Sequence, residues 1–533
     1  MKDMNPIWLA LILCFSTVVG NAQDKNLHDI IIKSGTVVDG TGNPGFIADI
    51  GIRGDRIAEI GDISDKRGKR VIDARGLIVS PGFIDVHTHT DQGLDSHPEA
   101  RNYLLQGVTT VVGGNCGGSR FPLDLFFRRI QARGIALNFA TFAGHNTIRR
   151  EVMGDDNRKP TPEELKRMKD LVEQEMLTGA IGLSTGLEYI PGRFSETEEI
   201  IALAREIRPF NGIYATHLRD QGEHIRDAVE EALRIGGEAG VKVQISHIKL
   251  KVEKYWGKRD MITGPIERAR KQGVEVYMDE YPYTAGSTGF TSSFPEWAVT
   301  GGHEAFVKQL DDAEQYRKIK DHIIDFRFRS ARGIDKAEMI TITRNRNHPE
   351  YEGNHLAEIL DMMGQRNTTS NAADLFIQLE KEDRPGAIFF QADEKDVVAL
   401  MQEDYCMVGS DGGIAIFEQG VTHPRTYGTF PKVIAKYVRD ENHLTLPDAI
   451  RKMTSLPAHA MGFAHRGVLR PGMFADMTIF NLDRIRDKAT YQEPHQYPEG
   501  IHFVIVNGNV AVQDGEIVNK DSGRIIYGSG KKD

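Results

Sequence analysis

"PGFIDVHTHTD", residues 81–91, decides how the rest of the chain is read. An apolar run from Phe83 to Val86, broken only by Asp85, follows a Pro-Gly pair and leads into His87, Thr88 and His89. Side chains two apart on a strand share a face, so His87 and His89 point the same way from a strand end. Two imidazoles so placed can hold one metal ion. A strand that carries its chemistry at its C-terminal end is typical of closed parallel α/β barrels.

Working outward, "GFIDVH" at 82–87 is the first of eight strand-like runs. "GVTTVVGG" (107–114), "ALNFATFAGH" (136–145), "AIGLSTG" (180–186) and "GIYATHL" (212–218) follow, then "VKVQISHI" (241–248), "VEVYMDEY" (274–281) and "YCMVGSD" (405–411). Charged, helix-periodic stretches separate them, which is the pattern of strands joined by crossover helices. One such helix begins at Thr161, where Pro162 and Glu164 complete a capping box. The economical closure is a (β/α)8 TIM-like barrel over 81–466, with a long insertion before its last strand at about 285–403. Short β-rich segments at 23–80 and again at 467–533 are expected to meet as one small β-sandwich domain built from both chain ends. A chain of 533 residues has room for both units.

Composition narrows the function classes. Hydrophobic residues make up 40% and charged ones 27%, an ordinary globular balance. A net charge of -10 offers no cationic stripe for a phosphate backbone, so nucleic acid is not expected as a partner. Lys2 and the apolar run "IWLALILCFSTVV" (7–19), followed by the small residues Gly20 and Ala22, read as a signal peptide over 1–22. Cleavage near Ala22 implies export to the periplasm or medium, and no stable membrane insertion afterwards. The run is short for a bilayer span, and Cys14 lacks the small residues that would precede a lipidation site.

Two cysteines remain, Cys116 and Cys406, and an oxidising compartment favours a disulfide. The strand map argues against it. Cys116 follows the second strand at the rim, whereas Cys406 begins the eighth, roughly 16 Å below rim residue Asp411 at about 3.3 Å per residue, beyond the reach of a bridge. Around the same rim stand His87, His89, His217, His247 and Asp411. Any one of these histidines alone reads as a core residue. Together with the thiol and the carboxylate they suit zinc, in one position or two adjacent ones.

"PGFIDVHTHTD", the histidines of "YATHLRDQG" (214–222) and "QISHIKL" (244–250), and "VGSDGG" (408–413) resemble the amidohydrolase superfamily. "GGNCGGS" (113–119), "YPYTAGST" (281–288) and "THPRTYGTFPKVI" (422–434) resemble its D-aminoacylase branch, the N-acyl-D-amino-acid deacylases. The resemblance implies zinc-dependent hydrolysis of N-acyl-D-amino acids to a carboxylate and a free D-amino acid, with small-molecule substrates. It implies that Cys116, His217 and His247 hold a tightly bound zinc, while His87, His89 and Asp411 surround a second, weaker position. It implies further that Asp411 is the catalytic base, that Arg425 clamps the substrate carboxylate, and that Lys249, Tyr281 and Ser287 assist. Many relatives bridge two metals with a carboxylated lysine on the fourth strand; "AIGLSTGLEY" (180–189) has none, and a cysteine bridge is the natural substitute.

Some assignments stay open. His145 either orients a metal ligand or makes a structural hydrogen bond, and His459 and His465 read as structural. Glu188 either lines the side-chain pocket, where its charge would disfavour acidic substrates, or pairs with a neighbouring arginine. Cyclic-amide hydrolases and dipeptidases share this metal chemistry, and a non-catalytic binding protein on the same scaffold would have lost some of the six ligands.

Overall fold

The computed structural model describes residues 27–328 and 337–531. The leader expected at 1–22 lies outside them.

Eight strands form the barrel: Phe83–Asp85, Val108–Gly113, Asn138–Thr141 with its continuation Ala143–Gly144, Gly182–Gly186, Ile213–His217, Lys242–Ile245, Val276–Glu280 and Cys406–Val408. Neighbours pair in parallel throughout. The last strand meets the first beyond its regular part, where Asp411 N donates to His87 O at 2.8 Å and His89 N to Gly412 O at 2.7 Å. Nearly every strand residue is buried, as expected of a sheet covered on both faces.

The crossover helices follow from their sequences. Pro162–Thr178 opens on the expected box, with Thr161 Oγ1 accepting from Glu164 N at 3.2 Å and Glu164 Oε2 accepting from Thr161 N at 2.8 Å. Ile225–Ala239 buries Ile225, Ala228, Val229, Ala232 and Leu233, the spacing of one apolar stripe facing the barrel.

Strands from both chain ends join in one continuous nine-stranded sheet. Leu27–Val37 is its branch point. Its first part pairs in parallel with Arg67–Asp73, its last residues pair with Ile78–Pro81, and Phe46–Arg53 runs antiparallel along its other side. Met477–Phe480 then pairs with Ile78–Pro81 and carries the sheet into the C-terminal strands. Ile30, Ile32, Ile50, Ile479 and Ile505 belong to the core that this sheet encloses.

Two boundaries differ from those the sequence suggests. The insertion has its own antiparallel sheet, Ala285–Gly289, Ile340–Arg344 and Gly386–Phe390, and an apolar core around Phe290, Phe294 and Phe376. It ends near residue 391, not 403, because Val397, Leu400 and Met401 of the helix Glu394–Met401 pack into the barrel core. The chain end also leaves the β unit: Ile526 N donates to Phe139 O and Gly528 N to Gly179 O, so this tail crosses the bottom of the barrel.

Asn507 fastens the two units together. Its Nδ2 donates to Asn138 Oδ1 on the third barrel strand and to Ser522 O, both at 2.8 Å, while its Oδ1 accepts from Arg466 Nη2 at 2.9 Å. Its backbone is left-handed, at φ 48°, a conformation asparagine tolerates better than most residues. Asn507→Ala would strand three buried partners, at about 1–3 kcal/mol for a buried group left unpaired. We expect stability to fall by about 2–4 kcal/mol, read as a lower urea midpoint; an unchanged midpoint would show that the contact fastens nothing.

Candidate metal centre

Three residues at this rim have left-handed backbones although none is glycine: Cys116 at φ 54°, His247 at φ 37° and Asp411 at φ 52°. Each such residue costs about 1–3 kcal/mol, so the surrounding structure must impose it. At Cys116 the cause is visible in the next residue. A Cβ on Gly117 would stand 2.0 Å from Asn146 Oδ1 and 2.7 Å from Gly186 N, so the turn is threaded between the third and fourth strand ends and aims the thiol inward.

Cys116 Sγ lies 3.4 Å from His87 Nε2, 3.5 Å from His247 Nε2 and 3.8 Å from His217 Nδ1. Asp411 Oδ1 lies 3.1 Å from His89 Nε2 and 3.5 Å from His87 Nε2. The six side chains form two ligand sets, His87–His89–Cys116–Asp411 and Cys116–His217–His247, and in each all donor atoms lie within 4.8 Å of one another. Zinc bonds of about 2.3 Å to sulfur and 2.0–2.1 Å to nitrogen give a tetrahedral S···N edge of about 3.6 Å. The observed separations bracket that length. Thiolate, imidazole and carboxylate are also the ligands zinc prefers, so this set fits the ion.

Charge prepares the ligands. Burial acts to raise the Cys116 thiol, but the His87 imidazole and hydrogen bonds from His217 and His247 outweigh it and hold it well below the usual thiol range. Burial, helped by the neighbouring His217, lowers His247 to about 4, leaving its ring neutral, the form that ligates. Asp411 is held well below the carboxylate range, because the Arg425 charge and a hydrogen bond from His89 overcome the effect of burial.

Three of the four ligand histidines meet a polar side chain at their other nitrogen. Glu188 Oε2 accepts from His217 Nε2 at 2.7 Å, and Gln221 meets His247 Nδ1 at 3.1 Å. Asp279 Oδ1 lies 3.2 Å from His87 Nδ1, close but not aligned as a hydrogen bond, and accepts from His247 N at 2.9 Å. Such partners fix ring orientation and tautomer. The sequence reading does not single out Gln221 or Asp279; the acid pair in "YMDEY" at the end of the seventh strand is the available signal for Asp279. Glu188 is corrected: among the described residues it pairs with His217 and with Lys251 Nζ at 3.2 Å, and it does not line the cavity into which the ligands open. His145 touches no ligand. Its Nε2 meets Glu199 Oε1 at 2.9 Å, where Arg149 also binds, so its role is structural.

The remaining assigned residues line the same cavity of about 540 Å³. Arg425 Nη1 stands 2.7 Å from Asp411 Oδ2, though not aligned as a hydrogen bond, and its guanidinium lies over the Tyr281 ring at 4.9 Å. Lys249 Nζ is 4.6 Å from the same ring and donates to His247 O. Ser287 faces in from the first strand of the insertion. His423 is another residue the sequence reading passes over: its Nδ1 accepts from Arg425 N and its Nε2 donates to Ala285 O, each at 3.0 Å, tying the arginine turn to the insertion. His459 and His465 lie outside the cavity, and Cys116 and Cys406 are both free.

The sequence profile of the amidohydrolase family matches residues 70–279 and 396–512. The chain belongs to the amidohydrolase family. This amidohydrolase is 38% identical over 527 residues to the D-aminoacylase of Alcaligenes xylosoxydans xylosoxydans, covering 95% of this chain and 98% of the relative. It is 35% identical to the N-acyl-D-glutamate deacylase of the same organism, covering 90% and 93%. The crystal structure of the N-acyl-D-glutamate deacylase from Bordetella bronchiseptica, complexed with zinc and a phosphonate inhibitor that mimics the tetrahedral intermediate, superposes with a TM-score of 0.80 at 33% identity, covering 94% of this chain and 99% of that one.

Cys116→Ala removes the donor common to both sets, so the purified amidohydrolase should lose zinc by elemental analysis; unchanged stoichiometry would refute the shared ligand. Glu188→Ala should weaken zinc retention about 10–100-fold in chelator competition, with Glu188→Gln falling between it and the wild type. Equal retention in all three would remove Glu188 from the site.

Proposed function

We propose that this amidohydrolase is an exported zinc enzyme that cleaves the acyl amide of N-acyl-D-amino acids, releasing a carboxylate and a free D-amino acid. One observation carries the reading: the Cys116-centred donor set opens into a cavity that also holds a carboxylate, Asp411, and a guanidinium, Arg425, in contact with each other. The deacylase relatives, similar over nearly the whole chain, support the D configuration and the linear amide.

Cys116, His217 and His247 would hold one zinc, and His87, His89 and Asp411, together with Cys116, would hold a second ion. Zinc supplies Lewis acidity toward the amide carbonyl and acidifies a water to a pKa of about 7. Arg425 binds the substrate carboxylate through its planar fork, with Lys249, Tyr281 and Ser287 around it. Asp411 accepts the proton of the attacking water and delivers it to the departing nitrogen, so that an amine leaves instead of an amide anion. Arg425 links binding to this step. It leads the groups that keep Asp411 a weak base, and a substrate carboxylate drawing on the same guanidinium raises the basicity of Asp411 once the site is filled.

Export rests on the residues that precede the described part of the chain. Lys2, the apolar run 7–19 and the small residues Gly20 and Ala22 form a cleavable leader, and no helix among the described residues is long and apolar enough to cross a membrane. The mature chain should therefore begin near Gln23 on N-terminal sequencing.

A panel of N-acetyl-D- and N-acetyl-L-amino acids, assayed with metal analysis, tests the activity. We expect turnover of D substrates only; hydantoin turnover without deacylation would overturn the reading. Asp411→Asn should lose about 10²–10⁴-fold in kcat while keeping the zinc held by Cys116, His217 and His247, and near-normal turnover would remove the assigned base. Arg425→Ala should erase the preference of the wild type for acyl amino acids over their carboxamides.

A further inference from the structure

A second cavity, of about 260 Å³, lies where the insertion meets the barrel and shares Tyr189 with the metal-bearing one. We propose that it is a ligand site for a short aliphatic carboxylate, whose occupancy is transmitted to the metal centre through Glu188. Its lining is specific in three ways. Ile190, Val299 and Phe306 supply an apolar wall. Arg193 and Arg384 face it, and among the described residues neither has a carboxylate within ion-pair distance; the one bond assigned to the Arg193 side chain runs from Nη1 to Phe294 O at 3.0 Å. Glu380, only 2% exposed, also lines the cavity, with Oε1 accepting from Thr291 Oγ1 at 2.6 Å and Oε2 without a hydrogen-bond partner among the described residues.

Asp155 in the same lining is taken up by Arg150 at 2.9 Å, and two guanidinium groups with no ion pair of their own among the described residues, beside an apolar wall, suit an anion with a hydrocarbon body, a planar carboxylate matching the fork. The volume falls below the usual range for drug-sized ligands, which restricts the body to a short chain. Glu380 supplies a hydrogen bond deeper in. Burial pushes its carboxyl up to about 7, so a substantial share of it is protonated at neutral pH and can donate to the ligand. Two residues connect this cavity with the metal site. Glu188 lines it and holds His217 Nε2, while Tyr189 packs its ring on His217 at 4.5 Å and its hydroxyl accepts from Thr288 Oγ1 on the insertion. An anion settling beside Glu188 repels the carboxylate that orients His217. If the deacylase reading holds, the acyl group released by the reaction has this chemistry, and the cavity senses product.

Calorimetric titration of hexanoate into the zinc-loaded protein tests the site without relying on turnover. We expect two binding events in the wild type, one of which survives Arg425→Ala. The survivor should weaken at least about tenfold in the Arg193→Gln/Arg384→Gln variant, with zinc content and Tm unchanged. Loss of all binding in Arg425→Ala, or wild-type binding in the double arginine variant, would overturn the site. In the kinetic arm hexanoate should show a non-competitive component that the double variant lacks, and its absence from the wild type would overturn the coupling. N-acetyl-D-alanine titrated into Asp411→Asn separates the possible sources: binding that depends on Arg425 alone assigns the cavity to the simple carboxylate. Failure of the deacylase reading would appear instead as no turnover, with hexanoate binding intact.

Discussion

The fold's demanding task is to hold one thiolate against imidazoles from three different strands. Cys116 stands 3.4–3.8 Å from His87, His217 and His247, and no local segment could produce that convergence. The rim of a closed barrel brings the ends of strands one, two, five and six together with the thiol at their centre. Closure is completed by the ligands' own backbone, since Asp411 N bonds His87 O and His89 N bonds Gly412 O. Metal centre and barrel seam are therefore the same structure.

The other units act on this centre through contacts of named residues. The insertion places Ser287 in the cavity and anchors the turn of Arg425 through the His423 ring. The β unit works from the opposite end, where Asn507 and the tail around Ile526 brace the base of the third strand. That strand leads to Asn146, whose amide bonds both backbone groups of Gly186 and the carbonyl of Tyr189. The loop bearing Glu188 and Tyr189 is thus fixed from below. The left-handed backbone at Cys116 rests on this bracing through Gly117, which is packed against Asn146 and Gly186, in accord with strain collecting at functional sites.

The barrel and its ligands were legible because each strand announces itself as a short apolar run and each ligand sits at a run's C-terminal end. His87 and His89 also carry the period of two that puts both on one face. What surrounds the ligands was not legible. Glu188, Gln221 and Asp279 act through contacts between residues 26 to 192 positions apart, including Asp279 with His87 and Gln221 with His247, and beyond the acid pair that ends the seventh strand their local sequence does not mark them. Glu188 shows the limit well. Its place in a rim loop is readable, but whether its carboxylate turns to the substrate or to His217 depends on the ring it meets. The boundary near residue 391 was misplaced for a similar reason, since a crossover helix and a helix of the insertion share the same apolar period.

The absence of lysine from the fourth strand has a steric basis. Gly186 ends that strand, and a Cβ there would stand 2.2 Å from Cys116 O. A side chain at the end of the fourth strand would meet the backbone of the second-strand turn, and that turn carries Cys116, the donor common to both ligand sets. Thiolate and glycine are therefore coupled features. Restoring a side chain at residue 186 would push the Cys116 turn outward, while removing the thiol would leave a gap that the fourth strand, ending in glycine, has no side chain to fill. Cys116 and Gly186, 70 residues apart in sequence, thus shape one donor arrangement between them.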